Sequence, residues 1–140
     1  VLKAILTLLT APTPPRVAVV GHISRTWYAD HDDLCAVLEI LREHRLYQPV
    51  HGGRPPFDLY VEKVCARIGL MDIKVAWGDG RSEFAPRRAG LVDGCCMLVA
   101  FPPEGGSLEE AEPGVVNEAL AQGLPVLRVN RGGGTAWIRT

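Results

Sequence analysis

"RVAVVG", residues 16–21, carries after Arg16 an unbroken apolar, mostly β-branched run, Val17–Val20, closed by a glycine. It lacks the alternation of a half-exposed strand, so both of its faces must be buried. A strand buried on both faces belongs in the middle of a parallel sheet covered by helices. The proline-rich "APTPP" (11–15) sets it off from what precedes. Downstream, Leu34, Val37, Leu38 and Leu41 recur at helical spacing, with Asp32 and Asp33 in the expected first turn, which predicts a helix over about 31–44.

The same alternation continues along the chain. "LYQPVHGG" (46–53) predicts a second strand, restricted in position by Pro49, which has no N–H to give to a ladder. In "FDLYVEKVCARIGL" (57–70), Leu59, Val61, Val64, Cys65 and Ile68 form a helical stripe that stops at Gly69. "DIKVAW" (72–77) predicts a third strand, "GDGRSEFAPRR" (78–88) a long loop and "RRAGLVDG" (87–94) a short helix. "CCMLVAF" (95–101) is the most continuous apolar run and should be the most buried strand, followed by a helix in "VVNEALAQG" (115–123) and a closing strand in "LPVLRV" (124–129). The expected fold is α/β: a single Rossmann-like three-layer domain with a mostly parallel sheet of about five strands and helices on both faces. Residues 16–130 make up that domain, 1–15 an N-terminal helix or edge strand with its linker, and 131–140 an unassigned tail.

Composition narrows the function classes. The 140 residues carry 15 basic and 16 acidic side chains, a formal charge of -1. No overall field exists to hold nucleic acid or an anionic membrane. The apolar run Ala4–Leu9 is shorter than the roughly 7–15 residues of a signal-peptide core, and no segment approaches the roughly 20 apolar residues that span a bilayer. Cys35, Cys65, Cys95 and Cys96 form no CxxC pair and no zinc-type spacing, so they read as packed free thiols of a cytoplasmic protein, with no metal and no cofactor expected. Cys95 and Cys96, adjacent in a strand, should point to opposite faces.

Ligands of an open doubly wound sheet settle beyond the carboxyl ends of its strands. The residues there are Gly21, His22 and Arg25 after the first strand, His51, Gly52 and Gly53 after the second, and Trp77–Arg81 after the third. After the fourth come the Pro102–Gly106 loop, with Gly105 and Gly106, and then Gly114. Glycines at such ends admit a ligand close to the backbone, and the following helix starts offer N–H groups to phosphate or carboxylate. Asp58 falls near a helix start, where it either offsets the dipole or accepts a ribose hydroxyl. Trp27, Tyr28 and Trp77 are candidates for stacking on a base, and the "HDD" at 31–33 reads as helix capping rather than a metal site.

These blocks together resemble the YspA-like branch of the SLOG superfamily of Rossmann-like nucleotide-binding domains, which also holds DprA-type proteins and the LOG phosphoribohydrolases. "VAVVGHISRTWYADHDDLCAVLEIL" resembles its opening strand, turn and helix, and "VHGGRPPFDLYVEKVCARIGL" its second block. "WGDGRSEFAPRRAGLVDGCCMLVAF" resembles the third block, and "PGVVNEALAQGLPV" the final helix start and strand entry. The resemblance implies site residues at His51, Gly52, Gly53, Asp58, Arg88, Gly114 and Glu118. Two positions depart from the family's pattern: Ala89 stands for the usual asparagine and Val115 for the threonine whose hydroxyl would meet phosphate. The loop "EGGSLEEAEPG" (104–114) is longer and more acidic than the family's, which would alter ligand choice or cover the pocket.

The expected function is binding of a nucleotide or nucleotide derivative at the strand ends, as a sensor or ligand-binding domain, in a protein that associates with its own copies. The enzymatic alternatives are hydrolysis of a nucleotide N-glycosidic bond, with Glu118 and Asp58 as the catalytic carboxylates, and a nucleoside deoxyribosyltransferase-like reaction through a nucleophilic carboxylate.

Overall fold

The computed structural model describes residues 2–3, 15–44, 47–75, 88–132 and 134–138, with 88–89 and 135–138 described by backbone alone. Strand β1 (Arg16–Gly21) lies at the centre, and Val17 through Val20 are at most 1% exposed. It is followed by α1 (Trp27–Glu43), β2 (Gln48–His51), α2 (Phe57–Ile68) and β3 (Ile73–Lys74). A 3-10 turn (Arg88–Val92), β4 (Cys95–Phe101), a second 3-10 turn (Leu108–Ala111), α3 (Pro113–Ala121), β5 (Val126–Val129) and β6 (Thr135–Ile138) complete the described chain. The sheet order is β3-β2-β1-β4-β5-β6; the first five strands are parallel and β6 pairs antiparallel with β5. This is the expected Rossmann-like architecture, and no helix among the described residues is long and apolar enough to cross a membrane.

Successive β1 residues point to opposite faces and so seed two cores. Val17 and Val19 pack with Val99 and Phe101 under α1 (Leu34, Leu38, Leu41) and α2 (Phe57, Val61, Val64, Cys65). Ala18 and Val20 pack with Leu98 and Ala100 under α3 (Val115, Val116, Ala119) and the two 3-10 turns (Leu91, Val92, Leu108, Ala111). Burying both faces holds the strand ends in one plane, and the site depends on that.

Several elements depart from the sequence expectation. Helix α1 begins at Trp27 rather than near 31, because Thr26 caps it by accepting the Ala29 N–H at 3.1 Å, and the acidic residue of its first turn is Asp30, not Asp32 or Asp33. Leu59, expected on the buried stripe of α2, is 38% exposed, and Phe57 occupies the core instead. Pro49 does sit inside β2. The neighbouring Gln48 N–H points toward the β1 side, to Pro15, so the N–H that Pro49 lacks would face the β3 side, where the ladder begins only at Val50. Cys95 is buried as expected, but Cys96 is exposed rather than covered by the other helical layer. Arg16 pairs with Cys95 and Val17 with Met97, so Cys96 is the extra residue of a bulge.

The third strand shrinks to two residues, and the fifth starts at Val126. The tail left unassigned contributes β6, in a hairpin closed by the Asn130 N–H donating to the Gly134 carbonyl at 2.7 Å. The "NRGGG" before it is the turn signal that marks such a hairpin. The expected N-terminal element over 4–14, and the loop through 76–87 with Trp77 and Arg81, lie outside the described residues.

Candidate functional site

The chain runs outward from β1 to β2 and β3, then returns to the other side of β1 for β4 and β5, so strand order reverses between β1 and β4. Beyond the carboxyl end of β1, beside that reversal, lies a cavity of about 260 Å³. Gly21, His22 and Ile23 form its floor and one wall. Arg54 through Asp58 supply the entry to α2, and Glu110 through Pro113 the entry to α3.

Each wall has a local cause. Gly21 has no room for a side chain: a Cβ there would fall onto the ring of Phe57. The β2–α2 turn is folded around Asp58, whose Oδ2 accepts the Gly52 N–H at 3.2 Å and the Arg54 N–H at 2.8 Å. Gly53 takes a left-handed φ of 70° within this turn, which a side chain would strain. Arg54 then reaches across the cavity to Glu112 at 2.9 Å, tying the two helix entries together. Neither α2, entered through Pro56, nor α3, entered through Glu112, has a side-chain cap on its start, whereas α1 is capped by Thr26. Two helix N-termini with their positive dipole ends therefore converge on one cavity. Among the lining side chains, Asp58, Glu110 and Glu112 outnumber Arg54 and His22. Glu110 is committed to a capping box with Ser107.

Of the residues expected at the site, Gly21, His22 and Asp58 line this cavity, and Gly52 and Gly53 build the turn that supports it. Arg25 does not line it. Its guanidinium is 1% exposed and donates to the Pro102 carbonyl (2.7 Å), to Asp30 (2.7 Å) and to the Val129 carbonyl. It is a clamp between strand ends, not a ligand contact.

His51 is also fully buried: Nδ1 accepts the Gly53 N–H at 3.1 Å, which places its proton on Nε2, 2.7 Å from Asp72. Glu62 completes a three-residue cluster that a metal ion could in principle fill. With Nε2 carrying the proton, however, His51 offers no lone pair there, and Lys74 already stands 3.6 Å from Glu62. The cluster is a hydrogen-bonded network, with one ion pair between Lys74 and Glu62, that holds the turn.

Gly105 takes a φ of 73°, and Gly106 donates to Pro103 while accepting from Arg128, so both shape the β4 loop without lining the cavity. Gly114 is the second residue of α3, and a Cβ there would meet nothing within 4 Å, so no close approach requires it. Glu118 lies further along α3 and accepts from Gln122 at 3.0 Å, away from the lining. The backbone of Arg88 opens the first 3-10 turn; its side chain lies outside the described residues. Trp27 packs against His31 and Tyr60, and Tyr28 is fully exposed, so neither faces the cavity.

Sequence reasoning missed Ile23, Arg54 and Glu112. Arg54 had a readable signal, since it directly follows the Gly-Gly turn; the acidic loop, expected to alter ligand choice or cover the pocket, lies along one wall through Glu110 and Glu112. Compared with protein-family models, curated proteins and solved structures, the chain has no significant match. The likeness to the YspA-like branch rests on its four sequence blocks.

Proposed function

We propose that the protein binds a nucleotide derivative of nucleoside or nucleoside monophosphate size in the cavity beside the β1–β4 reversal. The convergence on one cavity of two helix starts without side-chain caps carries this reading. Uncapped helix starts favour a single anionic group, while Asp58 and Glu112 favour hydroxyls and disfavour a polyphosphate. Size points the same way: about 260 Å³ falls just below the roughly 300–1,000 Å³ of typical small-molecule sites, too little for a dinucleotide. The glycosidic readings relied on Glu118, which stands off the lining, and Asp58 is already accepting two backbone N–H groups. Binding is the reading that the geometry supports.

The test is a thermal-shift panel of nucleosides, nucleoside mono- and triphosphates and ADP-ribose, run on the wild type and Arg54→Ala. Stabilisation by a nucleoside or monophosphate that exceeds that by the triphosphate, and weakens in Arg54→Ala, supports the proposal. Equal or absent shifts across the panel refute it.

A further inference from the structure

The two edges of the sheet are built differently. At one edge, β3 is two residues long and carries the exposed Lys74, so it offers little for another strand to pair with. At the other, β6 has four residues, Thr135–Ile138, without a charge or a proline, and its register with β5 runs unbroken. Charge, proline and bulges are the usual means of keeping a strand edge from pairing with another chain, and β6 uses none of them.

Hydrogen bonding fixes which β6 groups face outward. The Asn130 N–H donates to the Gly134 carbonyl, so these two residues form a hydrogen-bonded pair. In an antiparallel ladder such pairs alternate with pairs that do not bond, so Arg128 with Ala136 and Val126 with Ile138 bond as well. Ala136 and Ile138 therefore turn their N–H and C=O toward β5. Thr135 and Trp137 turn theirs to the outer edge, where no other described strand stands.

We propose that β6 is a dimer edge, paired antiparallel with β6 of a second copy across a twofold axis at Ala136. Such an edge is self-complementary. Thr135 of each copy comes opposite Trp137 of the other, and the two pairs exchange their outward N–H and C=O groups in four hydrogen bonds across the axis. The paired segments, Thr135–Ile138, are uncharged, so no like charges face each other there. Helix α1 supplies a second contact on the same flank. Asp33 accepts the Gly132 N–H at 3.1 Å, so its side of α1 faces the β5–β6 hairpin. Ile40, two turns on and on that same side, is 56% exposed, and a second copy docked along β6 covers it.

The test follows the protein through a dilution series by sedimentation velocity, with backbone amide exchange measured by NMR at both ends of the series. The dimer should dissociate on dilution. The Thr135 and Trp137 amides should be protected only in the concentrated sample, while those of Ala136 and Ile138 stay protected throughout. Thr135→Pro removes an outward N–H at the first residue of the strand, where proline is tolerated, and so deletes two of the four bonds across the axis. It should move dissociation to an at least about tenfold higher concentration. Ile40→Glu should weaken the dimer several-fold, and it carries the test alone if Thr135→Pro costs Ala136 and Ile138 their protection. A monomer throughout the series would overturn the proposal, whether the Thr135 and Trp137 amides exchange freely or are covered by another segment of the same chain. So would a dimer that neither substitution weakens.

Discussion

Arg25 and Arg54 follow neighbouring parallel strands, point toward the same rim, and each end on a carboxylate, yet they do opposite things. Arg25 is 1% exposed and spends its donors on Asp30 and on the carbonyls that end β4 and β5. Arg54 is 53% exposed and meets Glu112 across an open cavity. The contrast teaches that residue type and position after a strand do not decide how exposed a side chain is. What decides is how many buried acceptors the fold brings to it. One half of the rim is locked by buried hydrogen bonds and the other half opens on the cavity.

The comparison breaks most visibly at Arg25. Arg25→Met leaves the Pro102 and Val129 carbonyls without their donor in the interior and Asp30 with only Arg131 and the Thr26 N–H, and chemical denaturation should show a loss of about 3–5 kcal/mol, as for a broken buried pair. Asp58→Ala removes the acceptor that folds the β2–α2 turn and should cost about 2 kcal/mol, whereas Asp58→Asn, which keeps an oxygen acceptor, should cost visibly less. Gly21→Ala, which drives a Cβ onto Phe57, should cost on the order of 1–3 kcal/mol and also narrow the cavity, so its ligand-induced stabilisation should fall with it.

Acid sharpens the locked half. Burial alone would raise the Asp30 carboxyl, but hydrogen bonds from Arg131, the Thr26 N–H and Arg25 outweigh it and hold the group below its ordinary 3.8. A carboxyl depressed in the folded state contributes its full stability above the unfolded value and loses it as pH falls through the folded one. That loss belongs below about pH 4. Arg131→Ala removes the strongest lowering contact, so acid unfolding followed by circular dichroism should begin at a higher pH than in the wild type. The smallest stability effect belongs to the open half. Arg54→Ala should change stability by less than about 1 kcal/mol, since its pair with Glu112 is half in solvent, while weakening binding of a monophosphate by about tenfold.

The fold was legible because burial on both faces leaves a pattern that needs no partner to be read: "RVAVVG" and "CCMLVAF" fall in the described strands to the residue. Elements set by hydrogen bonds were read less well. Thr26 and Asp30 start α1 four residues early, and the extra residue Cys96 turns out of the sheet, because neither a cap nor a bulge alters the apolar periodicity. Around the cavity, strand-end position brought forward Gly21, His22 and Asp58, which line it. It could not tell Arg25 from Arg54, because that difference lies in the Pro102 and Val129 carbonyls, 77 and 104 residues away in the chain.

The most direct test is backbone amide mapping by NMR as the protein is titrated with adenosine 5′-monophosphate. Saturable shifts should concentrate at Gly21, His22 and Ile23, at Phe57 and Asp58, and at Gly114, with little change around Arg25 and Asp30. Shifts scattered over other surfaces, or confined to the α1–α2 seam, would contradict a nucleotide site beside the β1–β4 reversal.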